Sequence, residues 1–287
     1  MKRTILRFAT LGLVIGAITF TGCKKDDGEE VVDNTGGDGN NNQPKELVVP
    51  QTSMPIVNKL TATWCPPCGG WGWTLLQDII DAQGEKAVIM GTYGSSTSEY
   101  YHNTAQAFKT QFAPTAGWPA FCVNGKNETQ YSSNGNIYTG QTLTQCINVC
   151  DNFAAQSPTV QTGFRYSVKE GNIEVETKTK FFENGDGNYY LGVYVIEDGV
   201  VGKQAGHTPS TSAEHHYVLR NSQMDIPWGK QIAEGEVAAG TTFDNVFSIP
   251  VDNKWNMDKV KVAVIMWDKN IYNKYIFVNA NNKAQKD

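Results

Sequence analysis

Residues 55–68 read Pro-Ile-Val-Asn-Lys-Leu-Thr-Ala-Thr-Trp-Cys-Pro-Pro-Cys, a short apolar strand that delivers two cysteines to a turn. Behind them Leu75, Leu76, Ile79 and Ile80 recur at helical spacing, and Gly84 is placed as a C-cap. The cysteines therefore sit where a strand hands over to a helix N-terminus. The helix dipole and the free N–H groups of the first turn favour a thiolate there, which marks Cys65 as the nucleophile. Cys68, one turn inside, is then the resolving thiol that displaces a mixed disulfide.

Working outward, Ala87-Val88-Ile89-Met90-Gly91 is a second apolar strand reached through the helix, the order expected of a parallel βαβ pair. Residues 116–125, Ala-Gly-Trp-Pro-Ala-Phe-Cys-Val-Asn-Gly, read as a strand started by Pro119 and ended by an Asn-Gly hairpin turn. A last helix is expected over Gln141 to Ala155, with Leu143, Ile147, Val149 and Phe153 as its apolar positions. The motif Ala62 to Cys68, followed by Gly117-Trp118-Pro119-Ala120-Phe121, resembles the membrane-tethered, extracytoplasmic thioredoxin-like reductases over about residues 50 to 155. That resemblance implies a thioredoxin-like α/β domain, set at 50–156. It also implies a cis bond before Pro119 that brings the proline against the thiols, and a catalytic set of Cys65, Cys68 and Pro119. Three departures bear on activity. Lys59 stands where that family carries a buried acid, Gly69-Gly70 weakens the first helical turn, and Trp118 is bulky enough to crowd a peptide groove. Two other readings of the cysteines stay open: a purely structural disulfide, and a metal site, for which a second ligand pair would be needed. Cys146 and Cys150 share a helix face and Cys122 lies on a strand that could run beneath it, so their pairing is open too.

From Pro158 onward the pattern changes to alternation. Thr159–Val168, Ile173–Phe182, Tyr189–Ile196, Phe243–Val251 and Val260–Trp267 read as strands, with Tyr275–Val278 completing a sheet. Regular turns between them give the expectation of an immunoglobulin-like β-sandwich over 157–287, so the fold class read from sequence is α/β plus all-β. This half has no phosphate loop and no nucleophile elbow. His207, His215 and His216 read as loop or packing histidines; the last two, adjacent on a strand, would point to opposite faces. Glu197-Asp198-Gly199 reads as a solvated turn. No cofactor and no metal are implied.

The start of the chain is an address. Lys2, Arg3 and Arg7 precede an apolar run from Leu11 to Phe20, too short for a membrane span of ~20 residues, so 1–22 reads as a signal peptide. Thr21-Gly22-Cys23 resembles a bacterial lipobox, which implies lipid attachment at Cys23; an ordinary secreted protein is the alternative. Residues 23–49, acidic and rich in Gly and Asn, read as a tether, and the acidic run behind Cys23 resembles surface-export signals of Bacteroidetes lipoproteins.

With 24 Lys and Arg against 29 Asp and Glu, a net charge of −5, the chain offers no basic surface for a phosphate backbone, which excludes nucleic acid as a partner. A charged fraction of 18%, 28 Gly and 11% aromatics favour β structure over helical bundles. Glu197 to Gln204 and His215 to Arg220, behind the thioredoxin-like motif and the lipobox, resemble the Omp28-related outer-membrane lipoproteins of Bacteroidetes. The expected protein is thus held at the outer membrane by its lipid, with an unidentified protein or envelope ligand as partner. Two functions compete: a tethered thiol–disulfide oxidoreductase, and a surface adhesin or binding lipoprotein that uses the thioredoxin-like fold as a scaffold and the β-sandwich for partner contact.

Overall fold

A run of six residues buried at every position, β1 (Ile56–Thr61), opens the ordered part of the chain. The computed structural model describes residues 45–223 and 226–286. Cys23 and the expected signal peptide lie outside them, as does most of the expected tether. The five tether residues that are described already dock: Glu46 pairs with Lys178 at 2.6 Å, and the Val48 N–H donates to Gln285 Oε1 at 2.9 Å.

After β1 come α1 (Pro66–Gly69) and α2 (Trp71–Gln83), which Gly70 separates at φ −89°, ψ −116°, outside the helical region. Gly69-Gly70 thus splits the expected helix and leaves Cys68 on a one-turn helix of its own. β2 (Val88–Tyr93) lies parallel to β1 from Ile56 opposite Val88 to Thr61 opposite Tyr93. α3 (Asn103–Phe112) follows, then β3 (Ala120–Val123), antiparallel to β1, and β4 (Lys126–Asn127). Asn124 and Gly125 between these strands have φ of 51° and 78°, the left-handed pair that a tight hairpin turn requires. α4 (Thr139–Ala154) joins α2 over one face of this sheet, where Leu75, Leu76 and Ile79 meet Val57, Ile89 and Phe121.

The second half supplies β5 (Val160–Lys169), β6 (Asn172–Phe181), β7 (Gly185–Glu197), β8 (Val200–Gly202) and β9 (Ala213–His215). β10 (Val218–Ser222), β11 (Lys230–Val237), β12 (Thr242–Pro250), β13 (Val260–Lys269) and β14 (Tyr275–Asn281) complete it. The expected thioredoxin-like α/β domain followed by an immunoglobulin-like sandwich is not what these strands build. They extend the first sheet into one of nine strands, ordered β14-β13-β7-β10-β2-β1-β3-β4 with β11 also on β7. The join is at β2, whose Gly91 lies parallel to Val218 of β10 and donates its N–H to the Tyr217 carbonyl at 2.7 Å. The reason is the free edge of β2: left bare it would present a row of unpaired backbone groups. Apart from the short β8-β9 ribbon, β12-β6-β5 form a separate three-stranded sheet. It packs Phe164, Ile173, Val175 and Phe181 onto Val193, Val195, Val262 and Val264 of the long sheet.

On the opposite face α3 lands on strands from the second half. Phe108 and Phe112 meet Trp267 and Trp228 at centroid distances of 5.1–5.9 Å. Trp267 Nε1 donates to Tyr194 Oη at 2.8 Å, and Tyr194 Oη donates to the Pro227 carbonyl at 2.7 Å, so this buried aromatic cluster has its polar ends satisfied. Both halves therefore share one core as well as one sheet.

Candidate functional site

Cys65 and Cys68 form a disulfide at the start of α1. Cys65 is the N-cap, its Sγ accepting the Cys68 N–H at 3.3 Å, while Pro66 and Pro67 fill first-turn positions whose N–H groups would have no partner. The Trp118–Pro119 bond is cis. Pro119 is buried against Gly72, the second residue of α2, where a Cβ would meet the proline ring. The Trp118 side chain packs on Ala62, Cys65 and Cys68. Three of the four site residues expected from sequence thus lie in one neighbourhood, and the fourth, Cys23, is outside the described residues.

Both cysteines are covered, at 2% and 0% exposure. Part of the cover is Trp118; the rest comes from the second half of the chain, whose role as expected from sequence is partner contact. Gln204 Nε2 donates to the carbonyls of Ala62 (3.2 Å) and Cys65 (3.1 Å), and the Ala205 N–H donates to the Thr63 carbonyl at 2.8 Å. Gly206, at φ 78°, sits so close to the Pro66 carbonyl that a Cβ would collide with it, and a Cβ on Gly69 would collide with the Ala205 carbonyl. The β8–β9 connection is thus fitted onto the Cys-Pro-Pro-Cys turn through backbone contacts. No local sequence pattern announces this, although the glycines at 69 and 206 mark where two backbones touch.

Beneath the disulfide lies Lys59, 2% exposed, on the β1 face that meets α2. Its Nζ donates to the Cys68 carbonyl at 3.1 Å and stands 5.0 Å from the Trp73 ring centre. Burial pushes its pKa down to about 7, so near neutral pH this lysine exchanges a proton instead of remaining a fixed cation. Trp73 also contacts the rings of His207 (4.5 Å) and His215 (5.1 Å). His215 is fully buried, and its Nδ1 is 2.5 Å from Tyr93 Oη. Burial first and Lys59 second push its pKa down to about 4, so it is neutral at pH 7. The expected packing role of His215 is therefore incomplete: it packs, but against the ionisable floor of the cysteine site.

His215 and His216 do point to opposite sides. His216 Nδ1 lies 3.0 Å from Asp198 Oδ1, and that hydrogen bond raises its pKa. Glu197-Asp198-Gly199 is not the solvated turn expected, because Glu197 is 4% exposed and accepts from Arg220 Nε at 2.7 Å. Cys122, Cys146 and Cys150 are buried free thiols. Burial pushes Cys146 and Cys150 up to about 12 and Cys122 higher still, which leaves them unreactive near neutral pH. Among the described residues no group of three His, Cys, Asp or Glu is placed to hold a metal, and no helix is long and apolar enough to cross a membrane.

Residues 107–281 match the family described as outer membrane protein Omp28. Among solved structures the chain is similar to HBP35 of Porphyromonas gingivalis, with a TM-score of 0.62 and 14% identity over 82% of this chain and 77% of that one. At that identity the likeness is one of fold. A domain of the outer membrane lipoprotein Omp28 from Porphyromonas gingivalis aligns at 16% identity over 42% of this chain and 94% of that one, with a TM-score of 0.25. The sporulation control protein Spo0M of Bacillus subtilis aligns at 17% identity over 41% and 49%, with a TM-score of 0.23. No curated protein sequence matches the chain.

Proposed function

The chain belongs to the family of outer membrane protein Omp28, and from that premise we propose that it is a lipid-anchored thiol–disulfide exchange protein. Cys65–Cys68 is its redox pair and Cys23 its lipid attachment residue. The observation that carries this reading is the placement of the disulfide at a helix N-cap directly above a buried lysine that titrates near neutral pH. A purely structural disulfide has no use for such a neighbour, and an uncompensated buried cation is costly enough to demand one.

In the reduced protein the Cys65 thiolate attacks a disulfide of an envelope protein, forming a mixed disulfide and releasing one substrate thiolate, which takes a proton from water. Cys68 then gives its thiol proton to the neutral Lys59 amine. Its thiolate attacks Cys65 Sγ, the intermolecular bond breaks, and the second substrate sulfur leaves as a thiolate that takes up the proton held by Lys59. The products are the Cys65–Cys68 disulfide and two substrate thiols. Pro119 shapes the groove beside the sulfurs. Trp118 and the Gln204–His207 segment must move aside for a protein substrate, so exchange with large disulfides is gated.

The test is alkylation of the reduced protein with iodoacetamide at pH 7, read residue by residue. Cys65 is expected to react faster than Cys68, and Cys122, Cys146 and Cys150 not at all in the folded state. Equal, slow modification of Cys65 and Cys68 would remove the activated nucleophile and leave the second reading, a surface binding protein with a structural disulfide. That second reading has its own support in the burial of both sulfurs.

A further inference from the structure

The two patches that carry the family resemblance, Glu197 to Gln204 and His215 to Arg220, meet away from the cysteines at the Glu197–Arg220 ion pair. The guanidinium is gripped on one edge and one face. Its Nε donates to Glu197 Oε2 at 2.7 Å, and its carbon lies 5.1 Å from the Tyr100 ring centre. Both Glu197 oxygens are engaged, since Oε1 accepts the Asn256 N–H at 2.9 Å. Arg220 has donors to spare: among the described residues Nη1 and Nη2 hydrogen-bond to nothing, although the side chain is only 15% exposed. An 85% buried guanidinium oriented by a buried carboxylate, with its terminal donors unused, is a preformed fork for an acceptor pair.

Arg220 lines a groove of about 490 Å³, beside Tyr101, Asn221, Glu99, Asp252 and Trp255. The groove volume falls in the usual range of ~300–1,000 Å³ for small-ligand sites. Its chemistry limits the occupant. A carboxylate satisfies the fork with two parallel hydrogen bonds and one negative charge; a doubly charged phosphate would meet twice the repulsion from Glu99 and Asp252, which Lys254 in the same lining offsets only in part. Those same carboxylates want donors, which hydroxyl groups supply. Trp255 and Tyr101, both half-buried, give ring faces for a flat, partly apolar ring. We propose that the groove between the 99–102 segment, the end of β10 and the 250–255 loop binds an acidic saccharide, its carboxylate held by Arg220 and its ring set against Trp255. This site is independent of the redox reading and stands or falls without it.

The experiment is a titration of the whole protein with three disaccharides: one containing glucuronate, its methyl ester, and a neutral glucose disaccharide, followed by ligand-observed NMR. Saturable binding is expected for the acid, with the ester and the neutral sugar about tenfold weaker or more, the loss of one charge-assisted bidentate contact. Arg220→Lys keeps the charge but not the fork and is expected to weaken the acid about tenfold while leaving the ester unchanged. Trp255→Ala is expected to weaken all three. Should Arg220→Lys fail to fold, the acid-to-ester ratio in the unaltered protein still decides. Equal affinity for acid and ester, no saturable binding of the acid, or displacement of the acid by an equal concentration of inorganic phosphate would each overturn the proposal.

Discussion

Replacing Lys59 with Met should stabilise the protein at neutral pH and cease to do so in alkali. The lysine is 2% exposed, and burial takes its proton affinity from an ordinary 10.5 to about 7. Between those two values the unfolded chain binds a proton that the folded chain does not, so stability rises with pH across that window, and the full penalty applies below it. That penalty comes to about 4 kcal/mol at pH 7 and about 2 kcal/mol at pH 9, at 1.36 kcal/mol per tenfold change in proton affinity. Methionine keeps the length of the side chain and removes the charge, but gives up the hydrogen bond to the Cys68 carbonyl and the contact with Trp73, together about 2 kcal/mol. The variant should therefore be more stable by about 2 kcal/mol at pH 7, and this advantage should vanish by pH 9. Other titratable groups around this floor are His207 and His215 from the β8–β9 side, with Tyr93 and Tyr100 behind them and His216 within electrostatic reach. The Lys59 charge lowers His215 and His216, so its removal raises both imidazoles. The assay is urea unfolding of both proteins, disulfide intact, at pH 7 and pH 9. A difference between them that does not change with pH would refute the reasoning, because Lys59 would then keep an ordinary proton affinity in the fold.

Other perturbations test the cover and the anchor. Gly206→Ala places a Cβ against the Pro66 carbonyl at φ 78°, so the cover should lift at a strain of about 1–2 kcal/mol, and a small thiol should reduce Cys65–Cys68 roughly tenfold faster. An unchanged reduction rate would mean that this connection does not limit access. Cys23→Ala should release the protein from the membrane fraction and abolish labelling by a fatty-acid probe; a variant that still labels would place the lipid elsewhere.

What could be read from sequence was what is local. β1, the cysteine turn, the apolar face of α2 and the Asn124-Gly125 hairpin each carry their signal within a dozen residues. So do the alternating strands β5, β6, β12 and β13, and structure and sequence agree on them to within a residue or two. The single long sheet was not legible, because it depends on β10 finding the open edge of β2 more than a hundred residues upstream. A five-residue strand with a register shift at Leu219–Asn221 does not announce such a partner. α3 lies outside the elements expected from sequence, although Ala105, Phe108 and Phe112 mark a helical face. At the site, the motif pointed to the cysteines and the proline. The cover from Gln204, Ala205 and Gly206 and the floor from Lys59 and His215 are tertiary facts. Alternation separates His215 from His216, but nothing in the sequence says which of them is buried or places Trp73 beside His215.

The central claim is that Cys65–Cys68 is an exchangeable pair and not a staple, and its reduction potential tests this most directly. Equilibrating the folded protein in thiol–disulfide buffers of known potential, then trapping and counting free Cys65 and Cys68 by mass, gives the value. The account predicts a potential well above the ~ −300 mV below which structural disulfides of exported proteins lie. A value at or below that level would contradict it and leave the disulfide as part of the scaffold.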